Sequence, residues 1–215
     1  MSWTTEELVA QITTLKDQLE CDPDAFLRAT IDLTDADMLV MGKFIQLYCY
    51  GDLNARRIID ALRLAAIGPN AMNASRLQDA QVFPKLREAA DLLWDSNLKE
   101  GLHKAAETIE LHRTHRHTFA HWAARRIPGH DALIVFSKNA REAERRDGIA
   151  PQPTEMKYGI VPMEGFKSEL PKLEGHTLYL AESASHVETH IEEFRERSCP
   201  VGWCSFGGAA VAISG

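Results

Sequence analysis

Five of the nine histidines in this 215-residue chain fall within residues 101–122, in the string GLHKAAETIELHRTHRHTFAHW. An imidazole gains and loses a proton near neutral pH, so it serves as acid or base, and in its neutral form it ligates metal ions. Arg113 and Arg116 run through the same string, and a guanidinium grips phosphate through paired N–H donors. Those residue types point to two chemistries, proton transfer at a phosphate ester and metal ligation. A second spaced pair, His186 and His190, lies far downstream.

The spacing predicts a helix for this stretch. At about 100° per residue, Leu98, Leu102, Ala105, Ala106, Ile109, Ala120 and Ala123 fall on one stripe, the expected core face. Arg116 lies in the middle of that stripe, with Arg113 beside it. Glu110, His117 and His121 line one edge, and His112 and His115 project from the other, so the five histidines do not form a single metal site on this helix. A charge on a core face is costly unless paired. Arg116 is therefore expected either to meet a carboxylate inside the fold or to face a cleft or a partner subunit.

The string from Arg116 to His121, R-H-T-F-A-H, resembles the R-x4-6-H signature of the HEPN family (higher eukaryotes and prokaryotes nucleotide-binding). In that family the residue after the arginine is commonly Asn, Asp or His, and here it is His117. The resemblance spans roughly residues 34–197, with the six-residue motif as its specific part. It implies an all-α fold and, for many members, metal-independent endoribonuclease activity. Arg116, His121 and His117 would then be catalytic, with Arg116 and Arg113 binding phosphate. It also implies a homodimer whose two-fold cleft unites two copies of the motif, RNA as substrate, and a protein partner such as an antitoxin.

Two other readings stand beside it. His117-x3-His121 and His186-x3-His190 are both i,i+4 pairs on expected helices, and two antiparallel helices bring four imidazoles around zinc or iron. Alternatively the chain is a non-catalytic helical module for assembly or nucleotide binding. No GxxxxGK[ST] phosphate loop, GxGxxG or GxSxG occurs, and no cofactor is expected.

A net charge of −7 argues against general adhesion to nucleic acid, which depends on Lys and Arg. It leaves room for a local basic patch among Arg113, Arg116, Arg125, Arg126, Arg141, Arg145 and Arg146, whose simpler role is a solvated face. With no long apolar run and no basic segment before an apolar one, neither a membrane span nor a signal peptide is expected. Cys21, Cys49, Cys199 and Cys204 lack CxxC spacing and are expected as reduced thiols in a cytoplasmic protein.

The elements that must position these residues follow in order. Thr4 and Glu7 form a capping box with Trp3 stapled on Leu8, opening a helix with Leu8, Ile12, Leu15 and Leu19 that ends at Asp22-Pro23. Thr34 caps a second helix whose buried face is Met38, Met41, Ile45 and Tyr48. Gly51-Asp52 is expected to break or kink it before it resumes with Ile58, Ile59 and Leu62. After a loop at Gly68-Pro69-Asn70, a helix from Phe83 to Trp94 turns Leu86, Ala89, Ala90 and Leu93 inward. Ser96 then caps the long motif helix.

Beyond Trp122 the period changes. Residues 132–136, 158–161 and 177–180 read as short strands, and 139–153 as a loop or short helix. Ser183 or Ser185 caps a last helix with Val187, Ile191 and Phe194. The expected fold is mainly α: an antiparallel helical bundle with a small β-hairpin or sheet appended before the last helix. It forms one domain over residues 1–198 with its β insertion at about 131–181. Residues 199–215 form a tail that is flexible or packs on a partner.

Overall fold

The computed structural model describes residues 5–68, 73–138 and 156–197. The capping residues Trp3 and Thr4, the turn residues Pro69 and Asn70, the 139–153 segment with Arg141, Arg145 and Arg146, and the tail lie outside the described residues, as does the side chain of Leu8. The fold is mostly helical, with one small antiparallel sheet ahead of the last helices. The helices are α1 (Thr5–Cys21), α2 (Pro23–Ala29), α3 (Asp35–Ile67), α4 (Asp79–Ala90), α5 (Ser96–Leu111), α6 (Arg113–His121), α7 (Met163–Thr189) and α8 (Ile191–Arg197). The strands are β1 (Ala123–Arg126), β2 (Ala132–Ser137) and β3 (Lys157–Pro162). The chain divides into two compact units, residues 1–46 with 114–172 and residues 47–113 with 173–215.

In the first unit the strands form a meander in the order β1-β2-β3, with Arg126 opposite Leu133 and Ile134 opposite Ile160. Ala132 and Ile134 are buried with Leu15 and Leu19 of α1, and Phe136, Tyr158 and Ile160 pack at the edge of that cluster. Leu133 and Val135, which alternate with them and so face the other side, are buried as well. A strand buried on both faces reads as an unbroken apolar run, which is why residues 132–136 stood out. The Asp22 carboxylate caps α2 by accepting from the Ala25 N–H at 2.9 Å.

The expected Thr34 cap on α3 is present and reciprocal. The Thr34 hydroxyl accepts from the Asp37 N–H at 3.2 Å, and the Asp37 carboxylate accepts from the Thr34 N–H and hydroxyl at 2.9 and 2.7 Å. The Asp37 side chain is only 3% exposed, and Arg126 neutralises it. Arg126 also pairs with Asp131 at 3.0 Å, and its backbone exchanges hydrogen bonds with Ile31. Arg125 reaches Asp32 at 2.8 Å and the Thr30 hydroxyl at 2.9 Å. Both arginines thus tie β1 to the segment before α3.

The second unit is helical, built from residues 47–67 of α3, α4, α5, residues 173–189 of α7, and α8. Ile58, Ile59, Leu86, Leu102 and Ile109 are completely buried. Side chains press closely on the backbone at two glycines. A Cβ on Gly51 would sit 3.0 Å from Thr177 Cγ2 and 3.1 Å from Ile109 Cδ1, and one on Gly101 only 2.0 Å from the Tyr179 hydroxyl.

Several expectations are corrected. Gly51-Asp52 does not break α3, which is helical from Asp35 to Ile67; Gly51 serves close packing. Residues 177–180 are helix, because Leu173, Thr177, Leu180, Ala184 and Val187 form a buried i, i+4, i+7, i+11, i+14 stripe. Four branched and aromatic residues in a row mimic a strand, and only the longer window reveals the period. Ser183 and Ser185 therefore lie inside α7 and cap nothing, and the strands occupy 123–162. β1 itself was not foreseen. Met38 is 52% exposed. Asp95, not Ser96, caps α5 by accepting from the Asn97 and Leu98 N–H groups at 2.9 and 3.2 Å.

Candidate functional site

The expected motif helix is two helices. α5 ends at Leu111, and His112 is its C-cap, with its N–H on the Ile109 carbonyl at 3.0 Å, a tightened last turn. α6 starts at Arg113. The break resets the helical phase. Up to Ile109 the expected stripe holds, since Leu98, Leu102, Ala105, Ala106 and Ile109 are all buried. Beyond it, Ala120 and Ala123 are exposed, and Thr118, Phe119 and Trp122 are buried instead.

Phe119 sets the position of α6 in its unit. Its ring meets Phe44 of α3 at 5.9 Å and Phe166 of α7 at 4.7 Å, both edge to face, and Phe44 meets Phe166 at 5.0 Å. Such pairs add about 0.5–1.5 kcal/mol each beyond burial. His115 places its ring 5.1 Å from Phe166. The inward set is thus Thr118 and Phe119 of α6 with Trp122 just beyond its end, while His115 stays exposed at the rim of that face. Arg116 is displaced by one residue, about 100°, from the middle of the core face to its flank. It is half-buried with its Nε sealed from solvent.

His117 and His121 lie away from the inward set. His117 is half-buried, His121 is exposed, and their ring centroids are 4.6 Å apart. They are one helical turn apart, whereas Arg116 and His121 are about 140° apart around α6. Arg113 is exposed at the first residue of the helix. Glu110, expected beside His117 and His121, is held by Arg87 at 2.6 Å. Of the arginines considered for a basic patch, Arg125 and Arg126 are occupied by Asp32, Asp37 and Asp131, so they brace the fold.

His186 and His190 are both exposed, with centroids 4.5 Å apart. The two histidine pairs belong to different units. Among the described residues, no group of three or more His, Cys, Asp or Glu is placed to hold a metal ion. Asp131 and His176 are among the groups elsewhere whose pKa is shifted. Partial burial raises the Asp131 pKa, but hydrogen bonds from Lys167 and Arg126 outweigh it and hold that carboxyl below its usual range. Burial, aided by the Lys104 charge, lowers the His176 pKa.

Among the described residues, no helix is long and apolar enough to cross a membrane, and neither Cys21 nor Cys49 forms a disulfide. Comparison with protein-family models, curated proteins and solved structures yields no match to this chain.

Proposed function

We propose that this protein is a HEPN-like, metal-independent endoribonuclease of the cytoplasm, acting as a homodimer through Arg116, His121 and His117. The observation that carries the reading is the layout of α6. Its inward face is filled by Thr118 and Phe119, with Trp122 following, leaving a half-buried arginine on one flank and two neighbouring imidazoles on the arc beyond.

RNA carries its own nucleophile, the ribose 2′-hydroxyl. A neutral imidazole removes its proton as the oxygen attacks the adjacent phosphorus. Negative charge grows on the non-bridging oxygens, and a guanidinium neutralises it through two N–H donors. An imidazolium protonates the departing 5′-oxygen. The products are a 2′,3′-cyclic phosphate and a 5′-hydroxyl. His121, the exposed imidazole, is assigned the proton transfer, Arg116 the phosphate, and His117 the polar position beside them. Arg113 gives a further phosphate contact.

The separation of Arg116 from His121 supports a two-fold arrangement. On one helix the two side chains leave in directions about 140° apart, so one scissile phosphate is not readily gripped by both. A second copy of α6, related by a two-fold axis, brings the arginine of one chain to the histidine of the other. A protein that covers this face, such as an antitoxin, would silence it.

The test is cleavage of a mixed-sequence RNA in EDTA. The expected result is cyclic-phosphate termini, with activity reduced about 100-fold or more by Arg116→Ala or His121→Ala while the circular dichroism spectrum is retained. Activity that needs added metal, or survives both changes, overturns the reading. If no cleavage occurs and Arg116→Ala only weakens self-association, the chain is a non-catalytic assembly module.

A further inference from the structure

We infer that His186 and His190 form a two-imidazole chelate for a borderline divalent transition metal ion, with its remaining positions open. The site lies at the end of α7 and does not draw on α6. Both residues are exposed; His186 lies in the last turn of α7 and His190 in the turn just beyond it, its N–H still donating to the His186 carbonyl at 3.1 Å, with ring centroids 4.5 Å apart and planes tilted by 41°. That spacing sets the two rings side by side over one turn, as a shared ion requires.

Two contacts prepare the rings. His190 Nδ1 lies 2.9 Å from the His186 carbonyl oxygen. A carbonyl only accepts, so Nδ1 carries the hydrogen and the neutral ring keeps its lone pair on Nε2. This is the arrangement that fixes the tautomer and orientation of a metal-bound imidazole. His186 in turn stands edge to face against Phe194 at 5.9 Å and 86°. Phe194 is buried, so it gives that ring a firm surface to rest on.

Imidazole donors favour nickel, copper and zinc over magnesium and calcium. Since no group of three or more ligating side chains gathers among the described residues, an ion held here completes its sphere with water or with a donor from another molecule. Binding requires neutral rings, so it strengthens as pH rises through the imidazole range.

The test is calorimetric titration of the full chain with Ni²⁺ at neutral pH, in a His117→Ala/His121→Ala background that removes the other histidine pair. One ion per chain is expected, with affinity weakened about tenfold or more by either His186→Ala or His190→Ala. Both positions are exposed, and a circular dichroism spectrum matching the parent establishes that each variant is folded. No binding by the parent, or binding that both changes leave intact, overturns the proposal.

Discussion

Replacing Gly101 by alanine sets two calculable effects against each other. In a helix interior, alanine is favoured over glycine by about 1 kcal/mol. Gly101 lies within α5, so propensity alone predicts a more stable protein. Yet the new Cβ would meet the Tyr179 hydroxyl at 2.0 Å and its Cζ at 2.4 Å, well inside van der Waals contact, so the ring must move. Tyr179 is half-buried and its hydroxyl donates to the Leu98 carbonyl over a long 3.5 Å. That bond holds it weakly, and the ring can swing outward at the expense of its packing. Overpacking of this kind costs about 1–3 kcal/mol. The balance is a net loss of about 1 kcal/mol, or about 2–4 °C in Tm for a chain of this size. Urea and thermal unfolding of Gly101→Ala would measure it. The discriminating control is the same change in a Tyr179→Ala background, where the obstacle is gone and only propensity remains. There Gly101→Ala should stabilise by about 1 kcal/mol, a coupling of about 2 kcal/mol across the cycle. If Gly101→Ala stabilises equally in both backgrounds, the close approach of Tyr179 to α5 is refuted.

Asp37→Ala removes the carboxylate half of the α3 cap and the buried partner of Arg126; chemical denaturation should show a loss of about 2–4 kcal/mol. Leu102, completely buried, should cost about 3 kcal/mol as Leu102→Ala, by loss of burial and a residual cavity. His176 has a folded-state pKa held below its ordinary value, so the unfolded chain binds its proton first. Stability from this group is therefore full above about pH 6.5 and falls as the solution is acidified toward the lower folded-state pKa. His176→Gln should flatten the urea midpoint in that window. The Asp131 carboxyl has the opposite chemistry but the same direction of loss. It is depressed by Lys167 and Arg126 despite its burial, so its contribution is present above about pH 4 and disappears on further acidification. Asp131→Asn should therefore lower stability above about pH 4 and leave the acid limb of the stability curve flatter.

Most helices were legible because their signals are local. A Thr34 cap answered by a carboxylate three residues on, and apolar residues at 58, 59 and 62, need no knowledge of distant chain. What was illegible depends on distant partners. Gly51 looks like a breaker until Thr177 and Ile109 press on it. β1, Ala-Ala-Arg-Arg, has no strand composition, and its pairing with β2, its bridge to Ile31 and the ion pairs of its arginines hold it extended. Those same ion pairs removed Arg125 and Arg126 from any basic patch, which a linear count of arginines could not reveal. The two units are each assembled from separated stretches, so no single change in composition along the chain marks them.

The candidate site turned on a smaller thing, a slip of one residue. A wheel drawn through residues 98–123 assumes an unbroken helix, and every position beyond a break is then wrong by the same angle. The reset at His112 moved the inward face from Arg116, Ala120 and Ala123 to Thr118, Phe119 and Trp122. The correct face was written in the sequence as Thr118, Phe119 and Trp122, but a stripe already running through Ile109 obscured it. The consequence is chemical. An arginine in the middle of a core face would need a buried carboxylate, whereas one on the flank can hold an anion without leaving the fold. The case for a two-fold site no longer rests on a charge stranded among apolar residues. It rests on the angle between Arg116 and His121, and it would fail if small-angle scattering and analytical ultracentrifugation found an RNA-cleaving protein to be monomeric.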